Sequence, residues 1–252
     1  MTLFVWNDGM VVEASEFRLV RPYVLQRIHT LGYKAYNLDR HIQLLRDASC
    51  ELFGFASLCR KEDAERIIAQ LLHKSRVSVK FSCPVVMRLD SEGHLSFEVE
   101  SPGYYTGASL RMRRPTAATL TVSRDVPLSQ NSTTVAEDLM CDCRVRGCAN
   151  VAMLVDANGE VISRPWQPVF AVYHNKIYTP AEYDTVEYLM ARNAIVNAEI
   201  EFIVHPLPVS SLARMDEIFI VDTMGVTSFS QINHHRLLSV IATLVANKME
   251  PK

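Results

Sequence analysis

Val151-Ala152-Met153-Leu154-Val155-Asp156-Ala157-Asn158-Gly159-Glu160-Val161-Ile162 is the stretch whose reading decides the fold. Five apolar residues run into Asp-Ala-Asn-Gly, and a second apolar pair follows, so a buried strand turns back on itself. Downstream the pattern repeats in kind. Residues 169–173 and 176–178 flank His174-Asn175, a second hairpin signal. Asp184 is placed to cap a helix over 186–198, residues 199–205 alternate as a strand, and Ser210 or Ser211 opens a short helix. A buried strand over 217–221 and a closing helix over 237–248 complete this half.

Upstream of the deciding stretch, a helix over 134–146 ends at Gly147, preceded by a polar run over 129–134 and an extended segment over 109–123. Ser101-Pro102-Gly103-Tyr104-Tyr105-Thr106-Gly107 gathers proline and glycine between two patterned regions and reads as a linker. Before it, Leu3-Phe4-Val5-Trp6, Asn7-Asp8-Gly9 and Met10-Val11-Val12 form two strands around a tight turn. Asp39 caps a helix to Phe53 with Gly54 as its stop, a second helix covers 61–73, and strands are expected over 77–89 and 94–100. The fold class is thus α/β (α+β), with a small α/β domain over 1–102, a linker over 103–108 and a larger α/β domain over 109–252.

Composition excludes several classes of function. At 252 residues with 48% hydrophobic and 21% charged content, the chain has enough apolar mass for real cores. Twenty-six basic against 28 acidic residues give a net charge of -2, which argues against nucleic acid or an anionic membrane as the main partner. No apolar run of about 18 residues is present, and Asn7, Asp8 and Gly9 interrupt the region where a signal peptide would be apolar. Six sparse cysteines fit reduced thiols, so a cytoplasmic location is expected.

Few residues form constellations of chemical interest. Cys141-Asp142-Cys143 with Cys148 has thiolate ligands but the wrong spacing for zinc or an iron-sulfur centre, and reads as free thiols. His234-His235 reads as a polar loop. Arg111 and Arg113 share one face of a strand, solvated or facing an anion. No glycine-rich phosphate loop, G-x-S-x-G or H-E-x-x-H motif occurs. Only seven residues are lysine, and none lies between Phe81 and Asn175.

Read as an ordered series, the segments resemble the class IV aminotransferase family. These are the fold-type IV proteins of pyridoxal phosphate (PLP), which include branched-chain and D-amino-acid aminotransferases and aminodeoxychorismate lyase. The marks are Trp6-Asn7-Asp8-Gly9, then Leu38-Asp39-Arg40-His41-Ile42-Gln43-Leu44-Leu45-Arg46-Asp47-Ala48, then the Asp156 hairpin and Ile177-Tyr178-Thr179-Pro180. Arg192, Met215-Asp216-Glu217-Ile218-Phe219-Ile220 and Thr223-Met224-Gly225-Val226-Thr227 complete the series. The resemblance implies a small α/β domain followed by a larger barrel-like one, PLP as cofactor, an amino-acid-like or carboxylate ligand, and a homodimer.

Such a site needs a lysine for the cofactor aldehyde, an acid for the pyridine nitrogen, and cations or backbone donors for the phosphate. The chain departs from the pattern at each place. Counting back from Asp156, the family's lysine falls close to Gln130; its phosphate-binding arginine falls at Leu44; its pyridine-nitrogen glutamate falls within Ile162-Ser163-Arg164-Pro165-Trp166-Gln167. The glycine turn before the family's arginine is Tyr188-Leu189-Met190-Ala191-Arg192 here. No catalytic residue is therefore assigned, and the retained cofactor-binding candidates are Arg192, Thr223, Met224 and Gly225. Arg192 reads equally as a side chain snorkelling from a helix face, and Thr223 as the end of a buried strand; Arg40 and Arg46 read as surface charges.

Three readings follow. The chain is a divergent fold-type IV protein without standard transamination, or an enzyme using another lysine, for which Lys80 and Lys176 are the candidates, or a cofactor-free module binding anions through Arg111, Arg113 and Arg192.

Overall fold

The structure, a computed structural model, describes residues 2–19, 21–102, 114–123 and 126–249. The linker expected over 103–108 and the pair Arg111 and Arg113 lie outside the described residues. By their internal contacts the described residues form two units, one of residues 2–19, 21–102 and 129–134, the other of residues 114–123, 126–128 and 135–249.

In the first unit, β1 (Phe4–Asn7), β2 (Met10–Glu13), β3 (Tyr23–Leu31), β4 (Lys34–Ala35), β5 (Cys83–Asp90) and β6 (Leu95–Val99) build one sheet in the order β2-β1-β6-β5-β3-β4. Every neighbouring pair is antiparallel. Helices α1 (Leu38–Phe53) and α2 (Lys61–Lys74) supply the other side of the core, where Leu45, Ile68 and Leu71 meet Val24, Ile28 and Met87. The apolar positions of α1 recur at three- and four-residue spacing, which turns one stripe inward.

Two expectations for this unit change. The cap of α1 is Asn37 in the left-handed region (φ 54°), and Asp39 lies inside the first turn. Residues 77–82 are irregular, with a turn at 79–80, rather than strand: β3 reverses at Gly32 (φ 59°) and its pairing with β5 ends at Thr30 and Cys83.

The second unit contains two sheets. β9 (Val169–Tyr173), β10 (Lys176–Thr179), β11 (Phe202–Val204), β12 (Glu217–Asp222) and β13 (Gly225–Ser228) run in the order β11-β10-β9-β12-β13. β7 (Thr116–Thr121), β8 (Val151–Val155), β14 (Gln231–Ile232) and β15 (His235–Arg236) run in the order β15-β14-β7-β8, with β7 parallel to both its neighbours. Ala117 and Met153 from the second sheet share a core with Ala171, Ile218 and Ile220 from the first, so the inner faces close on one another. The deciding stretch turns as read: Val155 bridges Val161, and Ile162 donates to the Leu154 carbonyl at 2.9 Å. His174 and Asn175 both take positive φ (49° and 60°), the conformation a two-residue hairpin loop demands.

Helix α3 (Ser132–Val145) buries Cys141 and Val145 against Ala118, Ala152 and Leu154. Helices α4 (Val186–Asn197) and α5 (Val240–Lys248) complete the unit, and a 3-10 turn covers Val209–Arg214. Tyr188 of α4 stacks on Phe170 of β9, which stacks in turn on Phe219 of β12 at 5.2 Å. α4 is capped by Thr185 rather than Asp184, α5 begins only at Val240, and the strand read over 199–205 shortens to Phe202–Val204.

Candidate functional site

The entry to α4 is tied down by hydroxyls. Thr185 Oγ accepts from the Tyr188 N–H and donates to the Pro165 carbonyl at 2.7 Å. Tyr183 donates its phenol proton to the Ser163 carbonyl, also at 2.7 Å. Ser163 Oγ accepts from the Val169 N–H at 3.0 Å and so opens β9. The loop after the deciding hairpin is thus locked to the segment entering α4.

In that loop, where the resemblance implies an acid for a pyridine nitrogen, the charged group is a cation. Arg164 pairs with Asp138 of α3 at 3.3 Å, with side chains 9% and 18% exposed, and donates to Gln167 Oε1 at 2.8 Å. Beside it lies a cavity of about 20 Å³ walled by Met153, Leu154, Ile220 and Phe229. That volume admits about one water, so the space is packing rather than a ligand chamber.

Of the candidates, Thr223 and Met224 form the turn between β12 and β13, and Gly225, at φ 125° and paired with Asp222, opens β13. Donors at this turn face acceptors from the chain itself. Thr223, 4% exposed, donates through Oγ1 to Glu187 Oε1 at 3.1 Å, and Glu187 in the first turn of α4 is 5% exposed. The Met224 N–H donates to Asp222 Oδ1 at 2.7 Å. Further along α4, the Leu189 N–H is engaged by the Thr185 carbonyl. Arg192 is exposed on the same helix, one turn beyond Tyr188. Burial pushes the Tyr188 phenol up to about 12; Glu182 adds to this, while the Arg192 charge opposes it.

The Thr223 hydroxyl and the Met224 N–H, donors that an anion at this turn would draw on, are engaged by Glu187 and Asp222. Reading the sequence missed Glu187, Arg164 and Asp138 as participants. The only signals were an acid in a helix's first turn and an arginine standing where the resemblance implies a glutamate.

In the first unit, Gln130 stands where the resemblance implies a lysine. Its carbonyl accepts from the Leu25 N–H at 3.0 Å, and Asn131 Oδ1 next to it accepts from the Thr133 and Thr134 N–H groups, capping α3. Leu44 is half-buried on α1, Arg40 is half-buried and Arg46 exposed. Among the described residues no lysine is buried: Lys34, Lys61, Lys74, Lys80 and Lys248 are exposed. Lys176 is half-buried and ion-paired with Glu201 at 2.8 Å, whose hydrogen bond and charge raise its pKa. Lys80 lies in a turn, not in a strand.

The described residues hold no cluster of three metal-ligating side chains, and all six cysteines are free, Cys141 buried and Cys143 and Cys148 exposed. His235 bonds through Nε2 with the Met215 carbonyl at 3.1 Å.

No family model matches the chain, and no curated protein sequence does either. Solved structures do. A branched-chain amino acid aminotransferase from Escherichia coli is 15% identical with a TM-score of 0.79, covering 100% of this chain and 97% of its own. An aminotransferase from Brucella abortus bound to the cofactor PLP is 14% identical with a TM-score of 0.80, covering 99% and 98%. A branched-chain aminotransferase from Thermoproteus uzoniensis, solved with norvaline, is 14% identical with a TM-score of 0.78, covering 98% and 94%. Near-complete coverage at such low identity, together with the two-sheet second unit and the six-stranded first, establishes that the chain has the fold of the class IV aminotransferases, fold type IV.

Proposed function

We propose that this protein is a divergent fold-type IV protein that does not carry out transamination through a lysine imine and instead uses the scaffold to bind a small amino-acid-like or carboxylate ligand. The observation that carries the reading is the state of the lysines. An amine attacks an aldehyde only when neutral, and a lysine becomes neutral near pH 7 when burial or a neighbouring cation lowers its pKa. No described lysine is buried, and Lys176 is held in the charged form by Glu201. At the position nearest the implied lysine, Gln130 offers a neutral amide that forms no imine.

The resemblance supplies the ligand class and a homodimer, and the six free thiols accord with a reducing compartment such as the cytoplasm. The test is to incubate the protein with PLP, reduce with borohydride and map adducts by mass spectrometry. Sparse labelling spread over exposed lysines is expected, with no saturable imine absorbance. A stoichiometric adduct on one lysine, with amino-group transfer that Lys80→Ala or Lys176→Ala abolishes, would overturn the reading. Titration calorimetry with simple carboxylates and sedimentation velocity test the ligand class and the dimer.

A further inference from the structure

We propose that Lys34, Lys74, Arg76 and Lys80, set around the exposed side chains of Val79 and Phe81, form a docking surface for an acidic segment of a partner protein, one in which carboxylates flank an apolar residue. The surface lies wholly in the first unit and is independent of the fold-type IV reading.

The sequence gathers charge of one sign. No Asp or Glu occurs from Arg66 to Leu89, nor from Phe17 to Leu38. The fold sets the two acid-free stretches side by side. Tyr33, between β3 and β4, donates its phenol proton to the Val77 carbonyl at 3.0 Å, and its ring meets the His73 ring at 6.1 Å. Lys34, the next residue, thereby stands beside the end of α2 and the segment that follows it. Lys34, Lys74, Arg76 and Lys80 are exposed, and among the described residues none of the four is ion-paired with a carboxylate. Lys34 and Lys74 instead lie over the rings of Tyr36 and Phe4, at 5.4 and 4.7 Å. Elsewhere on the surface Lys61 and Lys176 each hold a carboxylate, Asp39 and Glu201.

A helix C-terminus attracts cations, which accounts for His73 and Lys74 in the last turn of α2. It accounts neither for Arg76 and Lys80 beyond the helix nor for Lys34 on a strand. Among these cations Val79 and Phe81 are 54% and 39% exposed. Cations around exposed apolar side chains complement a ligand that carries both anions and an apolar group. Range then selects the class of partner. Screening confines the attraction to about 8 Å at physiological salt, so a short segment lying on this patch feels its cations alone. A bilayer or a nucleic acid spans far more of the molecule, whose net charge is -2.

The experiment uses the full-length protein and a fluorescent peptide in which pairs of acidic residues flank a phenylalanine, with a control peptide carrying the corresponding amides. Fluorescence anisotropy at low salt should show saturable binding of the acidic peptide, with the amide peptide bound at least about tenfold more weakly. Binding should weaken as salt rises from about 50 to about 500 mM. Lys74→Gln, Arg76→Gln and Lys80→Gln should each weaken binding about two- to fivefold. Val79→Ser should weaken it as well, whereas Lys61→Gln should leave it unchanged. Absence of saturable binding by the acidic peptide, or equal binding of the two peptides, would overturn the proposal, and that comparison needs no variant. So would a folded protein carrying Lys74→Gln, Arg76→Gln and Lys80→Gln together that binds as the wild type does. Phosphatidylserine vesicles or a single-stranded oligonucleotide held more tightly than the peptide through the same residues would assign the surface to that class and overturn it too.

Discussion

Thr223 Oγ1 lies 3.1 Å from Glu187 Oε1, a buried hydrogen bond that joins the turn after β12 to the first turn of α4 across 36 positions of sequence. It ties a loop expected to receive a ligand to a residue that the sequence pattern had left unassigned. Its strength follows from burial, because neither group can turn to water if the other is removed.

Thr223→Val removes the hydroxyl at nearly constant volume and deprives a buried carboxylate of a donor. A loss of about 1–3 kcal/mol is expected in urea unfolding, with Thr223→Ser recovering most of it. A change below about 0.5 kcal/mol would mean that the bond contributes only geometry.

Arg164 and Asp138 form the largely buried ion pair beside the small cavity. Asp138→Ala removes the carboxylate from a largely buried guanidinium and should cost about 3–5 kcal/mol. The double replacement Asp138→Leu with Arg164→Met should recover much of that loss, since a buried pair adds little over apolar packing of similar volume. Denaturant midpoints of the two single variants and the double variant form the cycle that measures this.

Glu217 is 2% exposed and accepts from the Ile241 N–H at 2.9 Å and the Ala242 N–H at 2.8 Å, capping α5 from a strand because Ser239 provides no side-chain cap. Glu217→Ala should destabilise by about 1–2 kcal/mol and speed amide exchange at Ile241 and Ala242 first. Glu217→Gln keeps one acceptor and should lose less. Uniform exchange across α5 in the alanine variant would contradict the capping role.

His41 is fully buried on α1, bonded to Gln26 at 3.0 Å, and burial lowers its pKa from 6.5 to about 3. Between those values the unfolded chain takes up a proton that the folded chain refuses. The contribution is therefore complete above pH 6.5 and lost as pH falls towards 3, by at most about 1.4 kcal/mol per pH unit. Unfolding free energies of wild type and His41→Leu, measured from pH 7 to pH 4, should converge as pH falls. Parallel profiles would show that His41 does not contribute.

Much of the fold was legible because the decisive signals are local. The Asp156 turn, the His174-Asn175 hairpin and the inward stripes of α1 and α2 rest on turn chemistry and periodicity within a few residues. Errors fell at element ends. Asp39 and Asp184 are good caps by residue type, yet Asn37 and Thr185 hold those positions because the chain's path into each helix decides which residue is last in extended or left-handed backbone. Residues 77–82 carry strand-like composition, but a strand also needs a neighbouring edge, and β3 has already turned away.

By itself the sequence determined the order of elements and the absence of lysine between Phe81 and Asn175, both properties of residue identity along one chain. Tertiary structure alone decided that Glu187 faces Thr223 and that Arg164 meets Asp138. It also decided that no described lysine is buried. Burial and pairing depend on which distant segments pack together, and a buried charge takes its meaning from the partner it finds there rather than from its neighbours in sequence.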